Sequence, residues 1–284
     1  MNDNSYDWHP NETALGDAES CVGIARVSLP MECKMTQFRT LALARRWFAI
    51  SLIVAWLSPL AGWSQVPVGP RIAANDTSGH GAQVVYEAGA VHLGTSRVFI
   101  HVYKTGLGHE HGVMGRLKQG HVVLNDNSGG GELVFDMPSF DADSDEARRY
   151  VGLTGSTDAS TREQVNANMH GAGVLDTHMY PTATFKIASV TKLAELSRRG
   201  LPQYQLDGAF VLHGTTAPIG IVVDAEPRSG WLHLRGGFSI LQSSYGIKPF
   251  TKAFGAVGVA DRLDIWGDLW VAGERLVVQQ VPSR

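Results

Sequence analysis

Two histidines separated by one residue are the sharpest polar feature of the sequence. They are His109 and His111, within the segment Gly-His-Glu-His-Gly. Alternate side chains of an extended strand point to the same side, so both imidazoles would face one way and could share a divalent metal. The third ligand would be one of five other histidines: His101, His121, His170, His178 and His213. The pattern suggests a histidine-based metal or redox accessory site, with hydrogen-bonded structural histidines as the alternative.

Patterns typical of catalysis are weak in this sequence. The acidic residues between positions 141 and 146 have no spacing known for a calcium loop, and capping a helix that begins near Ser144 explains them better. No Gly-x-Ser-x-Gly nucleophile elbow occurs. Both cysteines, Cys21 and Cys33, precede the region predicted to form the mature domain, so a thiolate nucleophile or a disulfide is not expected there. We therefore predict a protein that is not an enzyme.

The N-terminal region has the features of a secretory signal. A basic stretch precedes a short apolar run at residues 47–57, and small residues follow it. The run is too short for a comfortable membrane span. Residues 1–64 are thus predicted to be a leader that contains a signal peptide at about 39–64, with Met35 as an alternative start. The mature protein would be periplasmic or secreted without a stable membrane span, or anchored at its N-terminus if the signal stays uncleaved.

Composition separates the rest of the chain into an arm and one domain. Residues 65–81 are rich in proline, glycine, asparagine and serine, which predicts a flexible arm. Residues 82–284 would form the domain. The formal net charge of the whole chain is only −3, so no nucleic-acid partner is expected.

Alternating hydrophobicity dominates this domain, most clearly between residues 204 and 249. Three amphipathic segments follow one another there with short connections, which predicts an antiparallel meander. Six further segments are predicted to be strands: 84–86, 96–104, 113–124, 133–137, 183–187 and 261–272. The domain is therefore predicted to be all-β, with about eight strands.

Helical signals occur only in the middle of the domain, between the fourth and fifth strands. One short helix is predicted at residues 144–151, and a capping box that begins at Ser160 predicts a second helix up to His170. A sheet of eight strands either closes on itself or packs on a second sheet. Because closure leaves no edge strand, we predict an antiparallel eight-stranded barrel with one helical excursion, and a sandwich is the alternative.

Four short motifs occur in a recognisable order along the domain. They are Ser-Arg-Val at 96–98, Val-Leu-Asp-x-x-x-Tyr-Pro-x-x-x-Phe at 174–185, Leu-His-Gly-x-Thr-x-Pro at 212–218 and Tyr-Gly-Ile at 245–247. In this order they resemble the YceI-like family of secreted, lipocalin-like proteins associated with the binding of polyisoprenoids or other lipids. The resemblance covers residues 84–271, and the Gly-His-x-His segment resembles a sub-branch of that family.

The resemblance implies an antiparallel barrel with an elongated apolar channel for a long hydrocarbon chain. Apolar side chains that point inward either fill such a barrel or line a cavity in it. The predicted inward set is Phe135, Phe185, Leu206, Phe210, Ile221, Leu232, Leu234, Phe238, Ile240, Leu263 and Ile265. The expected small-molecule partner is a polyisoprenoid lipid or a quinone-like tail, and a packed core without a ligand is the alternative.

The last predicted strand carries two tryptophans on its polar face. Trp266 and Trp270 alternate with the inward residues, so they are expected on the outside of the barrel. Exposed aromatic side chains suggest a contact surface, and hence a homodimer. The alternative is that the helix at residues 162–170 covers them.

Overall fold

The computed structural model describes residues 71–72, 83–125 and 129–279. The predicted leader and most of the predicted arm lie outside these residues. Within the arm, strand β1 (Arg71–Ile72) pairs with β2 (Gln83–Tyr86), and the flexibility predicted for the arm stays a prediction. Among the helices of the described residues, none is long and apolar enough to cross a membrane.

Eight long strands form a closed antiparallel ring. Each strand pairs with its neighbour in the sequence, and the last one pairs with both the first and the seventh. The strands are β3 (Arg97–Gly106), β4 (His111–Val123), β5 (Gly130–Ala142), β6 (Thr182–Leu196), β7 (Pro202–Leu212), β8 (Thr215–Arg228), β9 (Trp231–Leu241) and β11 (Val257–Ala272). The predicted lipocalin-like barrel is thereby confirmed, and closure leaves no edge in the ring.

Two helices connect β5 to β6. If β2 is counted as the first strand, they lie between the fourth and fifth strands, as predicted. Helix α1 (Asp145–Tyr150) begins after Ser144, whose hydroxyl accepts a hydrogen bond from the Ala147 amide at 3.2 Å, as the sequence predicted. Helix α2 (Ala159–His170) is capped by Asp158, not by the predicted Ser160. The Asp158 carboxylate accepts from the amide three residues later and is an equally good capping group.

The two ends of the barrel differ. We call one the helical end, because α1 and α2 follow β5 there, together with the β3–β4 turn and the hairpin formed by β10 (Thr251–Lys252) and β11. At the other end, the segment 88–96 crosses the barrel. Its Val91 is 2% exposed and packs against Gly120 of β4 and Val271 of β11. We call this the plugged end.

The plugged end also carries a small three-stranded sheet. It consists of β1, β2 and β12 (Leu276–Gln279), with β2 in the middle. The Tyr86 ring of β2 packs edge-on against Trp231 at the start of β9, with centroids 5.0 Å apart.

One of the two tryptophans on the outer face of β11 is buried. This corrects the prediction that both are exposed. Trp266 is 5% exposed and packs in a cluster with Phe99 and Val151. The ring of Tyr150, at the end of α1, stacks on Phe99 with centroids 3.6 Å apart. The element that covers Trp266 is therefore α1 and the residues after it, not α2. Trp270 is half-buried, and the homodimer stays a prediction.

Candidate ligand-binding site

The inward faces of the eight ring strands surround an apolar cavity of about 210 Å³. Every ring strand contributes side chains to its lining. All residues of the inward set predicted from the sequence line this cavity except Leu232, which packs against the core near the plugged end. The alternation of the strands thus places these side chains around one internal space.

The cavity is long and narrow. Its lining on β11 extends from Val259 to Leu269, a rise of about 30 Å at roughly 3.3 Å per residue. Strands of such a barrel tilt by about 40° from the axis, so the cavity lining extends for roughly 25 Å along the barrel. A volume of about 210 Å³ spread over that length leaves room for a single slender chain.

Aromatic side chains form a cluster at the cavity wall, in which Phe135, Phe210 and Phe238 line the cavity. The Phe210 ring makes edge-to-face contacts with Phe135, Phe238 and Tyr245, at centroid distances of 6.2, 5.9 and 5.7 Å. Edge-to-face packing fixes the orientation of each ring. The contacts therefore fix the orientation of Phe210 in the cavity wall.

Glycines in the wall have two different roles. Gly208 and Gly236 leave no free space in the interior, because a Cβ at these positions would lie 2.0 and 2.3 Å from carbonyl oxygens of neighbouring strands. They allow close approach of backbones instead. Gly267 does leave space, since a Cβ there would meet only Leu269, at 3.7 Å.

Helix α2 and the turn after it complete the lining, a contribution that the sequence analysis did not assign to the site. Val165, Met169, Val174 and Leu175 face the cavity at the helical end. The apolar spacing of Val165 and Met169 on one side of the helix was the available signal.

Among the described residues, polar side chains enter the lining only at the helical end. They are His111 at the start of β4, Asn168 in α2 and Gln242 directly after β9. Gln242 is 4% exposed, and its amide nitrogen donates to the carbonyl oxygen of Ala260 at 2.8 Å. The cavity therefore has an apolar body and one polar end.

His111 is held in place by a buried carboxylate. Its Nδ1 lies 2.7 Å from Oδ2 of Asp143, which is 2% exposed. The other oxygen of Asp143 accepts from the Arg148 guanidinium at 3.1 Å and from the Gly112 amide at 3.3 Å. Burial raises the pKa of Asp143, but the hydrogen bonds and charges of His111 and Arg148 outweigh it, so the pKa lies below its ordinary value.

The predicted metal site requires His109 and His111 to lie on one strand, but strand β4 includes only His111. His109 lies in the irregular turn before β4 and is exposed, whereas His111 begins the strand and is bonded to Asp143. His101 is paired with Glu110 at 2.9 Å. In the described part of the chain, no three histidine, cysteine, aspartate or glutamate side chains come together as a metal site would need. Only His111 of the two predicted ligands belongs to a strand, and metal binding by His109 and His111 stays a prediction.

A closed eight-stranded barrel around an elongated apolar cavity defines a lipocalin-like domain. Residues 91–269 match the family model described as the YceI-like domain. The chain belongs to this family, as the resemblance indicated. Among curated proteins, no match was found.

Solved structures similar to this chain have low sequence identity. BcnA from Burkholderia cenocepacia is 18% identical, with a TM-score of 0.45 and coverage of 64% of this chain and 99% of the other. A polyisoprenoid binding domain from Saccharophagus degradans, implicated in plant cell wall breakdown, is 14% identical, with a TM-score of 0.41 and coverage of 66% and 99%. The YceI protein of Campylobacter jejuni is 9% identical, with a TM-score of 0.34 and coverage of 59% and 85%.

Proposed function

We propose that this protein binds an extended apolar ligand inside its barrel, namely a polyisoprenoid lipid or the tail of a quinone-like lipid. It would act as a periplasmic or secreted carrier and as a binding protein, not as an enzyme. The observation that carries the proposal is the narrow cavity lined by apolar side chains from all eight ring strands. Membership of the YceI-like family is in keeping with this role.

Burial of a hydrocarbon chain supplies the binding energy in this proposal. Each methylene moved from water into an apolar site contributes about 0.8 kcal/mol. Several buried isoprene units therefore outweigh the loss of ligand freedom on binding, which costs at least about 4 kcal/mol. A slender cavity favours a linear tail over a fused ring system, because the wall around Phe210 is fixed by edge-to-face ring contacts.

The polar lining suggests the orientation of the ligand. His111, Asn168 and Gln242 lie together at the helical end, while the rest of the lining is apolar. Moving a polar group of the ligand out of water costs little free energy only where protein side chains can form hydrogen bonds with it. We infer that an amphipathic ligand lies with its polar group near His111 and its tail towards the plugged end.

Native mass spectrometry of the mature protein, purified from the periplasm without detergent, tests the proposal directly. The expected result is an adduct of a lipid-sized mass that moves into organic solvent on extraction, where it can be identified. A protein that carries no adduct and shows no saturable binding in a titration with a polyprenyl alcohol would refute the proposal. An adduct that is removed by a chelator would support the metal alternative instead.

A further inference from the structure

Two large apolar side chains at the helical end are exposed to solvent. Leu107, in the β3–β4 turn, is 82% exposed, and Phe254, in the turn between β10 and β11, is fully exposed. The two turns touch, since the Leu107 amide donates to the carbonyl oxygen of Ala256 at 2.9 Å. They therefore form one apolar tip, which we define as Leu107 and Phe254 with their turns.

The backbone beneath Phe254 adopts an unfavourable conformation. Ala253 and Phe254 have φ values of 50° and 56°, and Gly255 has 90°. The left-handed region is disfavoured for residues with a Cβ, and strain of this kind is concentrated at functional positions. Here the strained backbone directs the Phe254 side chain into solvent, so no burial of the ring compensates for the strain.

The base of the same hairpin belongs to the cavity. Phe250 and Val259 line it, and the Val259 amide donates to the Phe250 carbonyl oxygen at 3.0 Å. Thr251 pairs with Gly258 in the next step towards the tip. The tip therefore stands at the end of the cavity where its polar lining lies, opposite the plug formed around Val91.

The charged side chains within the two tip segments are all lysines, and the carboxylates that directly follow these segments have partners: Glu110 lies 2.9 Å from His101, and Asp261 accepts from the Ser243 hydroxyl. The two segments that carry the tip, residues 102–109 and 247–260, contain Lys104, Lys248 and Lys252 and no aspartate or glutamate. All three lysines are exposed. Apolar side chains beside exposed cations are the combination that binds the interface of an anionic bilayer.

We propose that the helical end docks on an anionic lipid membrane, with Leu107 and Phe254 inserted at the headgroup level and the lysines on the phosphates. This inference rests on the proposed function, because docking would place the cavity against the source or the acceptor of its ligand. Two inserted side chains give only weak attachment, and a carrier must also leave the membrane again.

The test is flotation of the mature protein with vesicles of phosphatidylcholine, with and without phosphatidylglycerol. We expect binding only with the anionic lipid, and at least about a tenfold loss of binding in the variant Leu107→Ser/Phe254→Ser. Lys252→Gln should weaken binding by about fivefold at low salt. The matched control is Val277→Ser/Val278→Ser, which removes two exposed apolar side chains from β12 at the plugged end and should bind like the wild type.

Equal vesicle binding by the wild type and the tip variant would overturn the inference, as would an equal loss in the β12 control. A wild type that forms a dimer, dissociated by the tip substitutions, and that fails to bind vesicles would show that the tip contacts a second copy instead. Vesicle flotation needs no ligand, and ligand titration needs no vesicle. Failure of docking can therefore be told apart from failure of ligand binding.

Discussion

Nδ1 of His111 and Oδ2 of Asp143 are 2.7 Å apart, where β4 begins beside helix α1. The pair connects the polar end of the cavity to the outside wall, since Arg148 of α1 shares the same carboxylate. One buried charge thus orients a cavity residue and fastens a helix to the barrel. Removing one partner of a buried ionic cluster leaves the others without compensation.

Asp143→Asn is expected to lower the free energy of unfolding by about 3 kcal/mol. The asparagine keeps the size of the side chain and tolerates the left-handed backbone at this position, where φ is 59°. Urea denaturation measures the change. Glu146→Ala, at an exposed position in the first turn of α1, is the control and should cost less than about 1 kcal/mol. Similar losses in both variants would show that the buried pair has no special weight.

The same carboxylate predicts a dependence of stability on pH. The pKa of Asp143 is lowered in the folded protein, whereas the unfolded chain has the ordinary value of about 3.9. Its contribution to stability is therefore fully present above that value and is lost as the pH falls through the folded pKa. Unfolding curves between neutral pH and about pH 3 should show a decline below about pH 4 that is shallower in Asp143→Asn. Parallel curves would contradict the assignment.

Gly267→Leu should block ligand binding without loss of fold. The position faces the cavity, and its surroundings are open enough for a side chain. A leucine there would occupy the narrow channel, so we expect the affinity for a polyprenyl alcohol to fall at least about tenfold, with an unchanged or raised melting temperature. The control is Gly173→Leu, the same substitution at an exposed position with no neighbour within 4 Å. Unchanged affinity in Gly267→Leu would place the ligand elsewhere.

Trp266→Ala should lower the stability of the protein and leave its affinity for the ligand almost unchanged. The tryptophan is buried, but on the outside of the barrel, under the residues that end and follow α1. Its loss should cost about 3 to 5 kcal/mol in unfolding free energy. Ligand affinity, measured at a temperature where the variant is folded, should stay within about threefold of the wild type, because a residue outside the cavity loses no ligand contact. A large loss of affinity in folded protein would mean that the outer cluster shapes the cavity.

The barrel and most of its lining could be predicted because a strand has a fixed period. Once a segment such as 231–241 is a strand, alternation decides which side chains point inward, and only the ends of the cavity escape this rule. Leu232 has the correct parity but lies too near the plugged end to line the cavity. Alternation along a strand predicts whether a side chain points into the barrel. Its position along the barrel axis relative to the cavity depends on contacts with distant segments.

Other features depended on contacts that no local pattern reveals. The segment around Val91 has no periodicity that marks it as a plug, and its burial follows from contacts with Gly120 and Val271. His109 was assigned to a strand, but the strand begins only at His111, after a turn in which Gly108 approaches Gly258 closely. Local spacing predicts that both side chains point to one side of a strand, and this rule does not apply to His109, which lies in the turn.

The small sheet at the plugged end determines how the protein would be oriented if it were attached to a surface through β2 or β12. Strands β2 and β12 lie side by side, with Tyr86 opposite Leu276, so the strand that precedes the barrel and the strand that follows it meet at this one place. A linker attached to either strand would thus leave from the side opposite Leu107 and Phe254. Immobilisation on a sensor surface through such a linker would orient every molecule alike, with its helical end towards the solution.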